Sequence, residues 1–338
     1  MFSSYGGRRQ KMLLVGVWAN RNWILGNWIK EVKAREPQTF RLRWVPTIFA
    51  SKRKLEKLAY IPLAEYGSYF FSYITIFEKY VSKNSSKYAQ KSIVLYPHNE
   101  SEMGSLDHQA QVLNYAHSVY FFCSQDAISL AAHGLLEDKI RLAYCAVDVD
   151  CFASDNFKRR RKTIVLASKF GPRKGLEILP QIVEQLPDWN FTALGRGWDG
   201  FISRTSLKQL PNFSFQVFNK SSRNQAFSES EIFMSLSSLE GGPVPLIEAA
   251  QLGCKVVTTD TGFARDLFED KKHGVIITKH PTAEEVVTAI RRVGEMEYVS
   301  NEAVKLLTWD RIASLMLNDH FKIVSKFEIK NAKARGTK

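Results

Sequence analysis

The sequence predicts a two-domain α/β protein built on parallel sheets. Short apolar segments alternate with amphipathic ones along both halves, as strands alternate with helices in this class. The 338 residues exceed what one hydrophobic core commonly organises. The composition, 45% hydrophobic and 24% charged, is that of a globular chain. Because ligands bind beyond the carboxyl ends of parallel strands, the ligand is expected in a cleft between the two domains.

The first half contains several apolar segments that end at turn residues or prolines. They predict strands at residues 12–18, 41–46, 92–96, 119–123 and 140–144. Helices are predicted at about 24–34 and 125–133. Residues 49–88 mix Lys and Arg with many aromatic side chains, and residues 19–91 as a whole match no pattern that assigns them a role.

The second half repeats the same alternation after a polar segment. Strands are predicted at residues 163–167, 191–194, 213–218, 231–236 and 255–259. Helices are predicted at 176–186, 245–252, 284–292 and 310–327. The polar segment 148–162 ends in five consecutive basic residues, which is typical of a domain linker. The predicted divisions are an N-terminal domain at 1–150, a C-terminal domain at 151–315 and a terminal helix with a basic tail at 316–338.

The net charge of +13 indicates an anionic partner, which could be a nucleic acid, a membrane surface or a phosphorylated ligand. Basic residues cluster at 52–57, at 158–162 and after Lys322. Each cluster could equally be a solvated basic face. Docking on an anionic membrane is one interpretation of Lys52, Arg53, Lys54 and Lys57, because aromatic residues up to Tyr80 follow them. The alternative is that those aromatic residues belong to the core.

No apolar segment is long enough to span a membrane, and no signal peptide is recognisable, so a cytoplasmic location is expected. A peripheral position on the cytoplasmic face of the membrane is compatible with it. The four cysteines, Cys123, Cys145, Cys151 and Cys254, form no C-x-x-C pair and no zinc-type cluster. They are predicted to be buried thiols in a reducing compartment.

The most informative segment is Glu240-Gly-Gly-Pro-Val-Pro245, which follows a predicted strand and opens a predicted helix. Gly241 and Gly242 leave backbone N–H groups accessible, and the start of a helix favours a diphosphate. Pro243 and Pro245 suit a helix entry, where a missing N–H group costs little. The carboxylates Glu240 and Glu248 flank this turn, and carboxylates beside a phosphate suit the vicinal hydroxyls of ribose or of a sugar ring.

This segment resembles the E-x7-E element of retaining glycosyltransferases of family 4, which have the GT-B fold. The resemblance implies two Rossmann-like domains with parallel sheets facing across a cleft. It places Glu240 near the donor sugar and Glu248 at the ribose, with Gly241, Gly242, Pro243 and Val244 lining the nucleotide site. The family usually has E-G-F-G-x-P, so the aromatic residue of that pattern is absent here.

Residues 168–175 resemble a second element of the family, G-R-x4-K-G, in which Arg and Lys hold the leaving diphosphate. Lys174 and Gly175 match it, whereas Ser168 and Lys169 stand where the family has Gly and Arg. Lys169 would keep the positive charge of Arg without its planar, bidentate geometry. Without the resemblance, Lys169 and Lys174 would be two exposed lysines in a loop.

Asp148-Val-Asp150 can be interpreted in two ways. A D-x-D sequence holds a metal in some glycosyltransferases, but those enzymes have another fold. The surrounding segment, 144–152, resembles the run that joins the two domains in the family, and this interpretation requires no metal. Thr308-Trp309-Asp310 also resembles the family, where a Trp precedes the helix that crosses back to the first domain.

Residues 195–200 satisfy G-x-G-x-x-G after a predicted strand. One interpretation is a dinucleotide site, but the acidic residue expected about 20 positions later is missing. The family has Gly-x-Gly at the same place, lining the nucleotide pocket. This resemblance assigns Gly195 and Gly197 to the pocket and makes Arg196 a contact to the base or to a phosphate.

His98 follows a predicted strand and Pro97 in the first half. Members of the family often have a His there that hydrogen-bonds the donor sugar, so the resemblance gives His98 that role. A His that only caps the turn is the alternative. The glycine-rich loop that the family has after its first strand is replaced by Trp18-Ala-Asn20-Arg21-Asn-Trp23.

The resemblance therefore implies transfer of a hexose or N-acetylhexosamine from a UDP- or GDP-sugar to a saccharide or lipid-linked acceptor. It implies retention of the anomeric configuration and no required cofactor or metal. His98, Lys169, Lys174 and Glu240 are the expected catalytic residues. A basic nucleic-acid-binding protein and an NAD-dependent enzyme using Gly195–Gly200 remain alternative hypotheses.

Overall fold

The computed structural model describes residues 11–18, 21–22, 24–45, 66–81, 86–99, 103–147 and 158–336. Contacts divide the chain into two compact units. The first contains Met1–Ala146 together with Trp309–Lys338, and the second contains Val147–Thr308. The basic cluster at 52–57 and the D-x-D of Asp148 and Asp150 lie outside the described residues, so membrane docking by the cluster stays a prediction and the D-x-D stays untested. The aromatic residues from Tyr69 to Tyr80 are buried in the core, as the alternative to docking expected.

The first unit is built on a six-stranded parallel sheet. Its strands are β1 (Met12–Val17), β2 (Phe40–Val45), β3 (Ser68–Phe71), β4 (Ser92–Tyr96), β5 (Ser118–Phe121) and β6 (Ile140–Leu142). Its helices are α1 (Ile24–Arg35), α2 (Ile74–Val81), α3 (Ser86–Ala89), α4 (Leu106–Leu113) and α5 (Ser124–Ala132). The strand order is β2-β1-β3-β4-β5-β6, so the direction of winding reverses between β1 and β3.

The second unit has its own six-stranded parallel sheet. The strands are β7 (Thr163–Ala167), β8 (Asn190–Gly195), β9 (Phe213–Val217), β10 (Ile232–Ser235), β11 (Lys255–Thr259) and β12 (Gly274–Ile277). The helices are α6 (Leu179–Gln185), α7 (Asp199–Ile202), α8 (Lys220–Glu229), α9 (Val244–Gln251), α10 (Ala264–Leu267), α11 (Ala283–Glu295) and α12 (Glu302–Lys305). Short 3-10 turns lie at Pro172–Lys174, Leu176–Ile178 and Ser206–Lys208.

The order of this second sheet is β12-β11-β10-β7-β8-β9. Read from β9, it is the 3-2-1-4-5-6 order of a dinucleotide-binding α/β domain, with β7 as the first strand. The winding reverses between β7 and β10, which are neighbours in the sheet. The prediction of an α/β protein with two parallel sheets is confirmed.

The long C-terminal helix α13 (Trp309–Gly336) belongs to the first unit. Its buried Asp319 accepts hydrogen bonds from Ser118 Oγ at 2.8 Å and from Tyr120 Oη at 3.1 Å. The buried His320 shares a 2.7 Å hydrogen bond with Ser68 Oγ. Because buried polar groups need partners, these contacts fix the register of α13 against the sheet. The helix begins at Trp309, one residue before the predicted start at 310.

Among the helices in the described ranges, none combines the length and apolar character that crossing a membrane requires. The cysteines that the structure describes, Cys123, Cys145 and Cys254, are buried as predicted.

Candidate active site

The candidate site lies where the winding of the second sheet reverses. Parallel sheets of this order bind ligands outside the carboxyl ends of the strands at such a reversal. β7 ends at Ala167 and leads into the loop that contains Lys169 and Lys174. β10 ends at Ser235 and leads into the Glu240–Pro243 turn. Two motifs that are far apart in sequence are thus neighbours at one edge of one sheet.

Gly175 allows the loop after β7 to pack against the segment after β10. Its φ is +61°, and a Cβ atom there would lie 2.2 Å from the carbonyl oxygen of Leu236. The Ser238 amide donates to the Arg173 carbonyl at 2.9 Å, which joins the same two segments. Lys174 ends the 3-10 turn between these two contacts, so its backbone position is fixed on both sides.

Lys174 Nζ and Glu240 Oε1 form an ion pair. The two side chains are only 18% and 12% exposed, so water screens this pair less than it screens a surface pair. The structure therefore brings together the lysine expected at the diphosphate and the carboxylate expected at the sugar. Lys169, in the same loop, is exposed, and its role stays a prediction.

The turn at Gly241, Gly242 and Pro243 leads into α9, which begins at Val244, one residue before the predicted start. Gly262, with φ +55°, packs against this turn, and a Cβ there would lie 2.8 Å from the Glu240 carbonyl oxygen. Thr259 and Thr261 hydroxyls both donate to the Ser237 carbonyl, which ties the loop after β11 to the same turn. The start of α9 is thereby held in place, and the positive end of its helix dipole favours an anion.

Glu248, one turn along α9, is buried and forms an ion pair with Arg223 of α8. Burial raises the pKa of Glu248 to about 7, while the positive charges of Arg223 and Lys220 act in the opposite direction. Near neutral pH this carboxyl can therefore exchange a proton, unlike an ordinary surface glutamate. Sequence reasoning did not find Arg223.

The Gly195–Gly197 segment is shaped mainly by packing. A Cβ at Gly195 would lie 1.9 Å from the Ser168 carbonyl oxygen, which itself accepts a 2.9 Å hydrogen bond from the buried Trp198 Nε1. Gly197 has a φ of +77°, and the exposed Arg196 lies between the two glycines. The helix that follows, α7, has only four residues, and the segment follows β8 rather than β7. In a dinucleotide site the glycine-rich turn follows the first strand of the sheet, and the pyrophosphate lies at the start of the helix that comes next. The position after β8 and the short α7 therefore count against the NAD hypothesis.

His98 belongs to the first unit, where it follows β4 and Pro97 and is half-buried. Its Nδ1 lies 3.4 Å from the Asn99 carbonyl oxygen. The neighbouring Asn99 Oδ1 accepts from Gln109 Nε2 at 2.9 Å, and Gln109 Oε1 accepts from Tyr96 Oη at 2.7 Å. This network shapes the end of β4, while the contact of His98 with a donor sugar stays a prediction.

Within the described ranges, no group of three or more His, Cys, Asp or Glu side chains could hold a metal ion. Asp148 and Asp150 lie outside those ranges. The candidate site in the second unit thus consists of a lysine–glutamate pair, a helix start and a buried arginine–glutamate pair.

Residues 151–306 match the family model described as Glycosyl transferases group 1. This group 1 match contains every predicted site residue except His98. Over 127 residues the chain is 32% identical to a subunit of the human phosphatidylinositol N-acetylglucosaminyltransferase. That alignment covers 35% of this chain and 26% of the human protein, so the match spans about a quarter of the relative's length.

Solved structures resemble almost the whole chain. The sucrose-phosphate synthase of Thermosynechococcus elongatus has a TM-score of 0.73 and 16% identity, covering 94% of this chain and 100% of its own. Anabaena HepE in complex with UDP and glucose has a TM-score of 0.65 and 14% identity, covering 96% and 100%. Identities this low show only the fold, which is the GT-B fold of glycosyltransferases, as predicted.

Proposed function

We propose that the chain is a glycosyltransferase that moves a hexose or N-acetylhexosamine from a UDP- or GDP-sugar to a saccharide or lipid-linked acceptor. The proposal includes retention of the anomeric configuration and independence from metal ions. One observation carries it: Lys174, Glu240, the start of α9 and Glu248 meet at the winding reversal of the second sheet. The group 1 match over the same residues supports it.

Each part of this arrangement suits one part of a nucleotide sugar. The ammonium group of Lys174 and the positive end of the α9 dipole suit the diphosphate, because both favour negative charge. Glu248 suits the ribose hydroxyls, since an ionised carboxylate accepts hydrogen bonds from both. Glu240 suits the sugar end, where positive charge develops as the glycosidic bond breaks.

The chemistry that fits these residues is a front-side displacement. The acceptor oxygen forms a bond to the anomeric carbon on the face from which the diphosphate leaves. The bond between that carbon and the phosphate oxygen breaks, and the leaving phosphate takes the proton of the acceptor hydroxyl. Lys174 and the start of α9 would stabilise the charge on that phosphate, and this stabilisation needs no metal ion.

The names of similar proteins indicate which donors and acceptors to examine first. HepE is solved with UDP and glucose, and the human relative is named as a subunit of a phosphatidylinositol N-acetylglucosaminyltransferase. A UDP-sugar is therefore the first donor class to examine, with glucose and N-acetylglucosamine as its sugars. Phosphatidylinositol is the first lipid acceptor to examine.

A thermal-shift screen of UDP- and GDP-sugars tests the proposal. A ligand at 100 times its Kd stabilises the folded state by about 2.7 kcal/mol, which raises the melting temperature measurably. We expect one nucleotide class to raise it for the wild type and to do so much less for Glu248→Ala. NAD and random duplex DNA serve as the comparison ligands for the two alternative hypotheses. A shift with NAD or DNA and none with any nucleotide sugar would reject the proposal.

Activity is expected to persist in excess EDTA. The charge on the leaving diphosphate is met by Lys174 and the helix start, so removing divalent cations should change the turnover rate less than about twofold. The measurement is sugar transfer from the donor identified in the screen, with and without EDTA. Complete loss, restored by Mn²⁺ or Mg²⁺, would instead assign Asp148 and Asp150 as metal ligands.

A further inference from the structure

Arg223 is a buried charge that pairs directly with Glu248, the residue proposed to bind the ribose. Its Nη1 pairs with Glu248 Oε1, and the two side chains are 11% and 10% exposed. The guanidinium is also held from its other side, because Nε and Nη2 both donate to Asn224 Oδ1, at 3.0 and 2.9 Å. A planar group bonded on two edges has one orientation, so the carboxylate paired with it is oriented as well.

The local sequence explains why Arg223 lies there. α8 begins at Lys220 after a capping box, in which Asn219 Oδ1 accepts from the Ser222 amide and Ser222 Oγ accepts from the Asn219 amide. This cap fixes the first turn of the helix, which places Arg223 and Lys220 on the side of Glu248. Among the described residues, Glu248 Oε2 accepts no hydrogen bond. One carboxylate oxygen is thus held by Arg223 while the other is available to a ligand.

We propose that Arg223 is a positioning residue for the nucleotide, which orients the Glu248 carboxylate and limits its protonation so that it can accept hydrogen bonds from the ribose. This inference rests on the proposed function. Without a cation beside it, a buried carboxyl takes up a proton and loses one acceptor site. Arg223 and Lys220, both on α8, are the charges that oppose this protonation.

The test measures affinity for a nucleotide sugar as a function of pH. UDP-glucose and GDP-mannose are suitable probes, because their phosphates lack the second ionisation near pH 6 that a terminal phosphate has. In the wild type, affinity should increase as pH rises through about 7, where Glu248 loses its proton. The midpoint of this pH dependence is the pH at which half of the affinity change has occurred. Arg223→Gln should shift this midpoint to higher pH and weaken binding at neutral pH by about tenfold for each pH unit of the shift. Arg223→Lys should keep the midpoint closer to that of the wild type.

Two further variants separate positioning from folding. Arg160→Gln removes an exposed arginine that pairs with Glu229 at the other end of α8, at 3.2 Å, and it should leave both affinity and midpoint unchanged. In a Glu248→Gln background, Arg223→Gln should cost little further affinity, because the charge that it supports is gone. Melting temperatures establish that each variant is folded.

The outcomes distinguish this inference from the proposed function. An Arg223→Gln variant with wild-type affinity and midpoint overturns the inference and leaves the proposed function standing. The inference is also overturned if Arg223→Gln weakens nucleotide-sugar binding equally at every pH and leaves the midpoint unchanged. Arg223 would then only hold α8 in place. A wild type that binds no nucleotide sugar overturns the proposed function itself.

Discussion

Lys174→Ala is expected to lower kcat by on the order of 10²–10³, and to raise KM for the donor by a smaller factor. The lysine pairs with Glu240, in the turn that leads into α9, and the proposed function puts the leaving phosphate there. A charge that acts mainly on the transition state affects kcat more than ground-state binding. Steady-state kinetics with the donor from the thermal-shift screen measure both quantities.

Two variants control this measurement. Lys208→Ala removes an exposed lysine of the same unit and should leave the kinetics unchanged. Lys174→Arg keeps the charge but changes the geometry of the donors, so it should retain part of the activity. If Lys174→Ala remains folded and its activity stays close to that of the wild type, Lys174 has no part in the reaction.

Local sequence patterns were sufficient to predict most of the strands. Each predicted strand in the described ranges exists to within a few residues. Short apolar runs bounded by turn residues are typical of buried strands, which is why the pattern predicted them. The turn at Glu240–Pro245 was also recognisable, since glycines and prolines at a strand-to-helix junction restrict the backbone strongly. Strand order was not readable in this way, because it depends on pairings between distant segments.

Several elements were not predicted, and for three of them the physical reason is clear. β3 (Ser68–Phe71) is followed almost directly by the apolar helix α2 (Ile74–Val81). The aromatic stretch therefore shows neither the two-residue alternation of a strand nor the 3.6-residue periodicity of a helix. β12 (Gly274–Ile277) has only four residues. α8 is mostly polar, with Arg223 and Phe227 as its buried residues, and it shows no apolar stripe. The Asn219–Ser222 capping box was the signal that could have found α8.

The candidate site was predicted residue by residue but not as a set of pairs. The sequence indicated Lys174, Glu240 and Glu248 separately, whereas the structure pairs Lys174 with Glu240 and Glu248 with Arg223. Arg223 lies in the undetected helix, so no pattern could connect it to Glu248. Gly195 was expected to line a nucleotide pocket, yet its lack of a side chain is already required by its contact with the Ser168 carbonyl.

The Lys174–Glu240 pair leads to an expectation that the sequence alone did not provide. Glu240→Gln should bind the free nucleoside diphosphate more tightly than the wild type, by about threefold to tenfold, since a partly buried ion pair contributes about 1 kcal/mol. In the wild type the diphosphate has to compete with the Glu240 carboxylate for the Lys174 ammonium. The neutral amide of Glu240→Gln removes this competition, so that Lys174 can bind the diphosphate fully. The same variant should lose on the order of 10² in kcat, because the carboxylate is no longer available to the positive charge that develops on the sugar.

Calorimetric titration of UDP and GDP, together with turnover of the matching donor, tests both halves of this expectation. Glu177→Gln is the matched control, because it removes an exposed carboxylate close to the same loop and should change neither quantity. Unchanged nucleotide affinity in Glu240→Gln would show that Lys174 does not bind the diphosphate. Tighter binding with undiminished kcat would keep Lys174 at the diphosphate and remove Glu240 from the sugar. Opposite changes in affinity and turnover, produced by one neutral substitution, are what a carboxylate between a phosphate-binding lysine and the reacting sugar should cause.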